Sequence, residues 1–149
     1  MQVAIGSDHL GFGLKEQLKE YLRGLGYEII DKGCYSTDPV SYPGIAKELA
    51  LNIVQNEAER GILICGTGIG MAMAANKVKG IRAAQCHDVY SAERAAKSNN
   101  AHIITMGAQV IGLEAAKKVT ETWLSSYFSG GPSQKKIEEI MELENLVSL

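Results

Sequence analysis

The run Ile62-Leu63-Ile64-Cys65-Gly66-Thr67-Gly68-Ile69-Gly70 holds the residues of this chain best suited to chemistry. Three glycines in five positions, after a strand-like apolar run and before a small-residue helix, have the form of an anion cradle. The backbone can approach a ligand there, and the free N–H groups of the first helical turn point at negative charge. No Gly-Lys-Ser/Thr follows, so the loop is not a Walker A motif. For a dinucleotide fingerprint the third glycine comes one residue early, although Asp88 stands about twenty residues on, where a ribose-binding acid would sit. A chain of 149 residues leaves no room for a separate substrate domain, which weakens the dehydrogenase reading. Cys65 stands at the mouth of the cradle. A cysteine ending a buried strand is often just a small hydrophobe, but at a helix N-terminus its thiolate is stabilised. A Cys-x5-Arg phosphatase would need arginine at Met71, and a phospho-receiver domain would need aspartate at Cys65. A thiolate beside backbone donors suits proton abstraction as well as covalent attack. Asp8-His9 follows another apolar run, either as a helix cap or as further site residues.

Those groups must be placed by an alternation of strands and helices. Val3-Ala4-Ile5, Tyr27 to Ile30, Ile62 to Cys65, Ile81 to Cys86 and Ile103-Ile104 read as strands. Leu14, Leu18, Tyr21, Leu22 and Leu25 recur at helical spacing and stop at Gly26. Further helices are expected from near Pro43 through Ile53, over Met71 to Val78, over Tyr90 to Ser98, and along Ala116, Val119, Trp123 and Tyr127. After the break at Gly130-Gly131-Pro132, Ile137, Ile140 and Met141 mark a C-terminal helix. The order predicts an α/β fold: a Rossmann-like, doubly wound, five-stranded parallel sheet in three α/β/α layers, forming one domain over residues 1–149. Ligands of such sheets bind at the strand C-terminal edge, near the switch in strand order. Ser7-Asp8-His9, Asp31, Cys65 to Gly70, His87-Asp88 and Thr105 to Gly107 all follow strands on that edge.

Apolar residues make up 46 % and charged residues 21 %, with a net charge of −2, so neither a disordered chain nor a nucleic-acid-binding face is expected. No apolar run reaches the ~18 residues of a membrane span, and the first residues lack a signal-peptide pattern. Three widely spaced cysteines (Cys34, Cys65, Cys86) point to a reducing cytoplasm rather than to disulfides or a zinc site.

The segments Gly6-Ser7-Asp8-His9, Asp31-Lys32-Gly33, Tyr42-Pro43, Ile64 to Gly70, Ala74-Ala75-Asn76-Lys77, Gly80-Ile81-Arg82-Ala83 and Gly107…Val110-Ile111-Gly112 together resemble the ribose-5-phosphate isomerase B family. That family also contains the galactose-6-phosphate isomerase subunits. The resemblance covers essentially the whole chain and implies a cofactor-free, metal-free aldose–ketose isomerase of a phosphorylated sugar. It implies a homodimer, or a tetramer of paired dimers, whose site is completed by the partner's C-terminal segment. By this resemblance Cys65 is the base that removes the C2 proton. The backbone of Gly66, Thr67, Gly68, Ile69 and Gly70 holds the enediolate, and Thr67 moves a proton between its oxygens. Asp8 binds sugar hydroxyls, His9 the phosphate, and Tyr42 and Asn99 line the pocket.

Four positions depart from the family pattern. Ser98-Asn99 replaces a His-Asn pair whose histidine opens the sugar ring, and Gln109 replaces an arginine. Gly130-Gly131-Pro132-Ser133 replaces Gly-Gly-Arg-His, and Lys136, beside Lys135, replaces the next arginine. Lysine is a point charge and does not reproduce a bidentate guanidinium. His87 and Arg94 are the residues expected to supply an imidazole and a guanidinium instead; as surface groups they would be a strand-end histidine and an i,i+4 ion-pair partner. The expected reaction is ribose 5-phosphate to ribulose 5-phosphate. The stretch His87 to Arg94 with Ser98-Asn99-Asn100-Ala101 also resembles a tetrulose-phosphate subgroup. Erythrose 4-phosphate, with O4 blocked, cannot close a furanose and needs no ring-opening histidine. Hexose 6-phosphates come third, and a phosphate- or nucleotide-binding module is the non-enzymatic alternative.

Overall fold

The structure is a computed structural model that describes residues 1–146. It contains β1 (Gln2–Ser7), α1 (Phe12–Gly24), β2 (Glu28–Asp31), α2 (Tyr42–Val54), β3 (Arg60–Cys65) and α3 (Ile69–Asn76). These are followed by β4 (Ala83–Gln85), α4 (Val89–Lys97), β5 (Ile103–Gly107), α5 (Leu113–Leu124) and α6 (Ser133–Glu142). All neighbouring strands are parallel, in the order β2-β1-β3-β5-β4. The chain leaves β1 toward β2 on one side and returns to β3 on the other, so the switch in strand order lies between β1 and β3. This is the expected three-layer α/β/α arrangement with a C-terminal helix.

Period-2 alternation decides which side each strand residue faces. Val3, Ile5, Ile62, Ile64, Ile104 and Met106 pack on α1, α4 and α5 through Leu14, Leu18, Leu22, Ala96, Val119 and Trp123. Ala4, Leu63, Cys65 and Ile103 face the opposite layer, built on Leu49, Ala50 and Ile53 of α2 and Met71 and Ala75 of α3. Cys65 therefore emerges on the side where α3 begins.

Several boundaries differ from the sequence expectation by one to a few residues, and three of them have a clear physical reason. β4 has only three residues, because as an edge strand it pairs with β5 alone, from Ala83↔Ile103 to Gln85↔Thr105. Ile81 and Cys86 are buried outside it. α3 starts at Ile69 rather than Met71, since Gly68, at φ +79°, turns the chain directly into the helix. α5 ends at Leu124, and Tyr127 lies beyond it with its ring over the Arg60 guanidinium.

The loop after β2 is joined to β1 almost as a continuation of the sheet. Lys32 N–H donates to Ile5 C=O at 2.8 Å and Cys34 N–H to Ser7 C=O at 2.6 Å. A buried ion cluster anchors it: fully buried Lys15 donates to both Asp31 oxygens, at 2.8 and 2.7 Å, and Lys19 joins at 2.8 Å. Burial opposes ionisation of Asp31, but the hydrogen bonds from Lys15, Lys19 and the Gly33 amide outweigh it and hold the carboxyl below its usual range.

At the other edge, Arg82 ties the end of α4 to α6. Its guanidinium donates to the carbonyls of Asn99 and Asn100 and reaches the Met141 sulfur. The Arg82 amide donates to His102 Nδ1 at 3.1 Å. Burial first, and the Arg82 charge second, push the His102 imidazole down to about 4. The unfolded chain takes up this proton near the ordinary histidine value of about 6.5, whereas the folded protein does not take it up until about pH 4. Stability from this group is thus complete above pH 6.5 and is lost as pH falls toward 4. Allowing for partial exposure, the loss is on the order of 1–3 kcal/mol. Urea unfolding at pH 7 and pH 5 should show it, and His102→Gln should flatten the difference.

Candidate active site

The ends of β1, β3 and β5 converge beside the switch point. Register places Ser7 against Ile64 and Cys65 against Gly107, and the Asp8 amide extends the ladder to Ile64 C=O at 3.1 Å. Cys65 is 5 % exposed, and its sulfur accepts the Gly68 N–H at 3.1 Å.

Glycine is needed at 68 for two reasons: the positive φ, and an added Cβ would lie 2.8–2.9 Å from the backbone of Met106. The Thr67 hydroxyl accepts the Ile69 N–H at 3.2 Å, which leaves its own proton available to donate. A Cβ on Gly70 would overlap the Tyr42 ring, so this tyrosine lies directly over the first turn of α3. A Cβ on Gly66 would stand 3.1 Å from Gln109 Oε1 and 3.1 Å from Leu10 Cδ1. Tyr42 and Gln109 therefore bracket the loop. The second- and third-residue amides of α3, Gly70 and Met71, have no carbonyl four residues back within the helix and supply its free positive end.

Asp8 is 5 % exposed and does not cap α1, whose N-cap is Gly11 with no side-chain cap bond; its Oδ1 accepts the Gly11 N–H at 3.0 Å and closes the turn before the helix. That bond fixes the carboxylate at the same edge as Cys65. His9 accepts the Val40 N–H on Nδ1 at 3.1 Å, so its neutral ring carries the proton on Nε2. His87 has the opposite tautomer. Its Nε2 accepts the Gly107 N–H at 2.9 Å, leaving Nδ1–H as the donor. Gly107 in turn packs on the loop, where an added Cβ would come within 2.6 Å of Gly66 C=O.

The remaining predicted residues lie elsewhere in the chain. Arg94 Nη1 donates to the Ser98 hydroxyl at 3.3 Å and Nη2 pairs with Glu93 at 3.1 Å, so its charge is engaged along α4. Asn99 is exposed at the end of α4, and Lys136 is exposed on α6. Among the described residues no hydrogen bond or ion pair joins Arg94, Ser98, Asn99 or Lys136 to the Cys65 loop. A cavity of about 610 Å³ between α3 and α6, lined by Lys77, Arg82, Met141 and Glu144 among others, contains none of the loop residues.

Two groups touch the loop that sequence reasoning gave no role, Gln85 and Thr105, although it placed Thr105 on this edge. Gln85, the last residue of β4, donates to Thr67 C=O at 2.7 Å, and fully buried Thr105 donates to Gly68 C=O at 2.7 Å. Thr105 carried a readable signal, a hydroxyl inside an apolar strand that has to find a partner. Gln85 carried none beyond its place at a strand end.

A family model described as Ribose/Galactose Isomerase matches residues 3–140. The chain is 54 % identical to ribose-5-P isomerase B of Listeria innocua serovar 6a, over 97 % of this chain and 97 % of that one. It is 50 % identical to the D-erythrulose-4-phosphate isomerase of Pectobacterium atrosepticum, covering 94 % and 93 % of the two chains. Among solved structures, Clostridium thermocellum ribose-5-phosphate isomerase B superposes with a TM-score of 0.97 at 41 % identity, over 99 % of this chain and 100 % of that one. Among the described residues no helix is long and apolar enough to cross a membrane.

Proposed function

This chain belongs to the ribose/galactose isomerase family, and we propose that it interconverts ribose 5-phosphate and ribulose 5-phosphate through an enediolate, with Cys65 as the base. It is a sugar-phosphate aldose–ketose isomerase. The observation that carries the mechanism is the Cys65 sulfur, held by the Gly68 amide at 3.1 Å beside the first turn of α3. In the aldose-to-ketose direction the thiolate takes the C2 proton, and the electron pair moves through C1 onto O1. The same thiol then returns the proton to C1. The O2 proton passes to O1, relayed by the Thr67 hydroxyl. Carbon acids beside a carbonyl are weak mainly because the oxyanion is unstable, so preorganised N–H donors lower the barrier most. Loop amides not engaged by the bonds to Cys65 and Thr67, Gly70 among them, supply these donors. Asp8 and Tyr42 hold sugar hydroxyls, and His9 and Gln109 serve the phosphate.

Among the described residues no lysine or arginine is hydrogen-bonded or ion-paired to the Cys65 loop. A homodimer in which the partner brings Lys136 and Arg94 to this edge supplies cations, with the neutral Ser98 and Asn99 beside them; the exposure of α6 residues Ile140 and Lys136 supports this. The Nδ1–H of His87 is the imidazole group available to assist ring opening.

A second reading rests on Ser98. Its hydroxyl is bound to Arg94 rather than replaced by an imidazole, which suits a tetrose 4-phosphate that cannot close a furanose. A coupled assay without added metal, comparing ribose 5-phosphate with erythrose 4-phosphate, decides between them. A kcat/KM at least tenfold higher for ribose 5-phosphate supports the first reading. The reverse preference replaces it with the second, and turnover of neither removes both.

A further inference from the structure

We propose that Gln85 and Thr105 form a two-point clamp that aims the Gly68 amide at Cys65, making them positioning residues for the base. The inference rests on the reading of Cys65 as the base. In a trans peptide the C=O and N–H point in opposite directions, so holding one aims the other. The Gln85 amide donates to Thr67 C=O at 2.7 Å, and the N–H of that same peptide, Gly68, donates to Cys65 Sγ at 3.1 Å. In the next peptide the Thr105 hydroxyl donates to Gly68 C=O at 2.7 Å, a carbonyl that also accepts the Ala72 N–H at 3.2 Å.

Both restraints act on the two peptides flanking one residue, and that residue is a glycine at φ +79°. Glycine populates several backbone basins at little cost, so the loop's own torsions do not define its orientation. A flip of either peptide would turn a carbonyl dipole toward the thiolate or the enediolate and repel it. The clamp comes from the sheet, one group on β4 and one on β5, and is independent of substrate. Titratable groups around Cys65 on the same edge are Asp8 and His9 after β1, Tyr42 on α2 and His87 after β4. None of them is altered in the test.

The test reads the thiol directly. In a Cys34→Ser background, the rate of Cys65 alkylation by iodoacetamide is followed at neutral pH. Cys86 stays silent, because burial pushes its thiol up to about 11. Gln85→Leu and Thr105→Val should each change the Cys65 alkylation rate and lower kcat roughly 3- to 10-fold. KM should stay within about twofold. Thr105→Ser, which keeps the hydroxyl, should behave as the parent and controls for folding. Alkylation rates and kcat values of Gln85→Leu and Thr105→Val that match the parent would overturn the clamp. Failure of Cys65 as the base is a separate result, seen as retained turnover in Cys65→Ala.

Discussion

Cys65→Ala is expected to lower kcat for sugar-phosphate isomerisation by about 10²–10⁴-fold, the range for removing a positioned base. KM should change little, because the oxyanion donors and hydroxyl-binding groups are left in place. The site is buried among Leu63, Met71 and Ile103, so the lost sulfur costs stability on the order of 1 kcal/mol and leaves the fold intact. Cys65→Ser should lose nearly as much activity. A serine hydroxyl accepts the Gly68 amide as readily as sulfur does, yet it does not ionise near neutral pH. Steady-state kinetics on both variants, with unfolding curves beside them, separate loss of chemistry from loss of structure.

Gly68→Ala should be nearly as damaging for a different reason. The backbone at φ +79° is costly for any side chain, and the new Cβ would meet Met106 backbone atoms at 2.8–2.9 Å. Met106 belongs to β5, paired with β3 on one side and β4 on the other, so it has no room to yield. The loop must move instead, and with it the amide on Cys65. Strain of this kind costs about 1–3 kcal/mol, and a displacement of about 1 Å at the reacting groups lowers kcat roughly 10²-fold. Gly44→Ala is the matched control. Gly44 sits in α2 with nothing within 4 Å of an added Cβ, so that variant should keep full activity and at least parental stability.

The frame of the molecule was legible because the strands are short apolar runs and the helices carry one apolar face. Val3-Ala4-Ile5 and Ile62 to Cys65 needed no tertiary information to be read as central strands. Their adjacency made the switch point, and hence the neighbourhood of Asp8 and Cys65, a consequence of chain order. Boundaries were less legible where the sheet edge or a glycine torsion decides them. β4 stops at Gln85 because it has one partner, and α3 starts at Ile69 because Gly68 adopts a left-handed turn.

Local spacing also hides partners that are distant in sequence. Lys15 falls beside Leu14 on a helix that reads as amphipathic, yet it is fully buried, because Asp31, sixteen residues on, meets it across the end of β2. His87 was placed after a strand as a source of imidazole. That its Nε2 is engaged by the Gly107 amide follows only from β5 lying next to β4. Arg94 reads from spacing as an i,i+4 ion-pair partner, whereas its ion pair is with the adjacent Glu93 and its i,i+4 contact is a hydrogen bond to the Ser98 hydroxyl. What brings them to a phosphate is a question of assembly rather than of one chain's spacing.

The central claim is that Cys65 carries the proton between C2 and C1, and isomerisation in D2O followed by proton NMR tests it most directly. The account predicts that the parent protein places solvent deuterium on the carbon that receives the proton. It also predicts that Cys65→Ser, folded and still able to bind sugar phosphate, shows neither this exchange nor turnover. Exchange in Cys65→Ser at the parental rate would contradict the account and assign the base to another group at this edge.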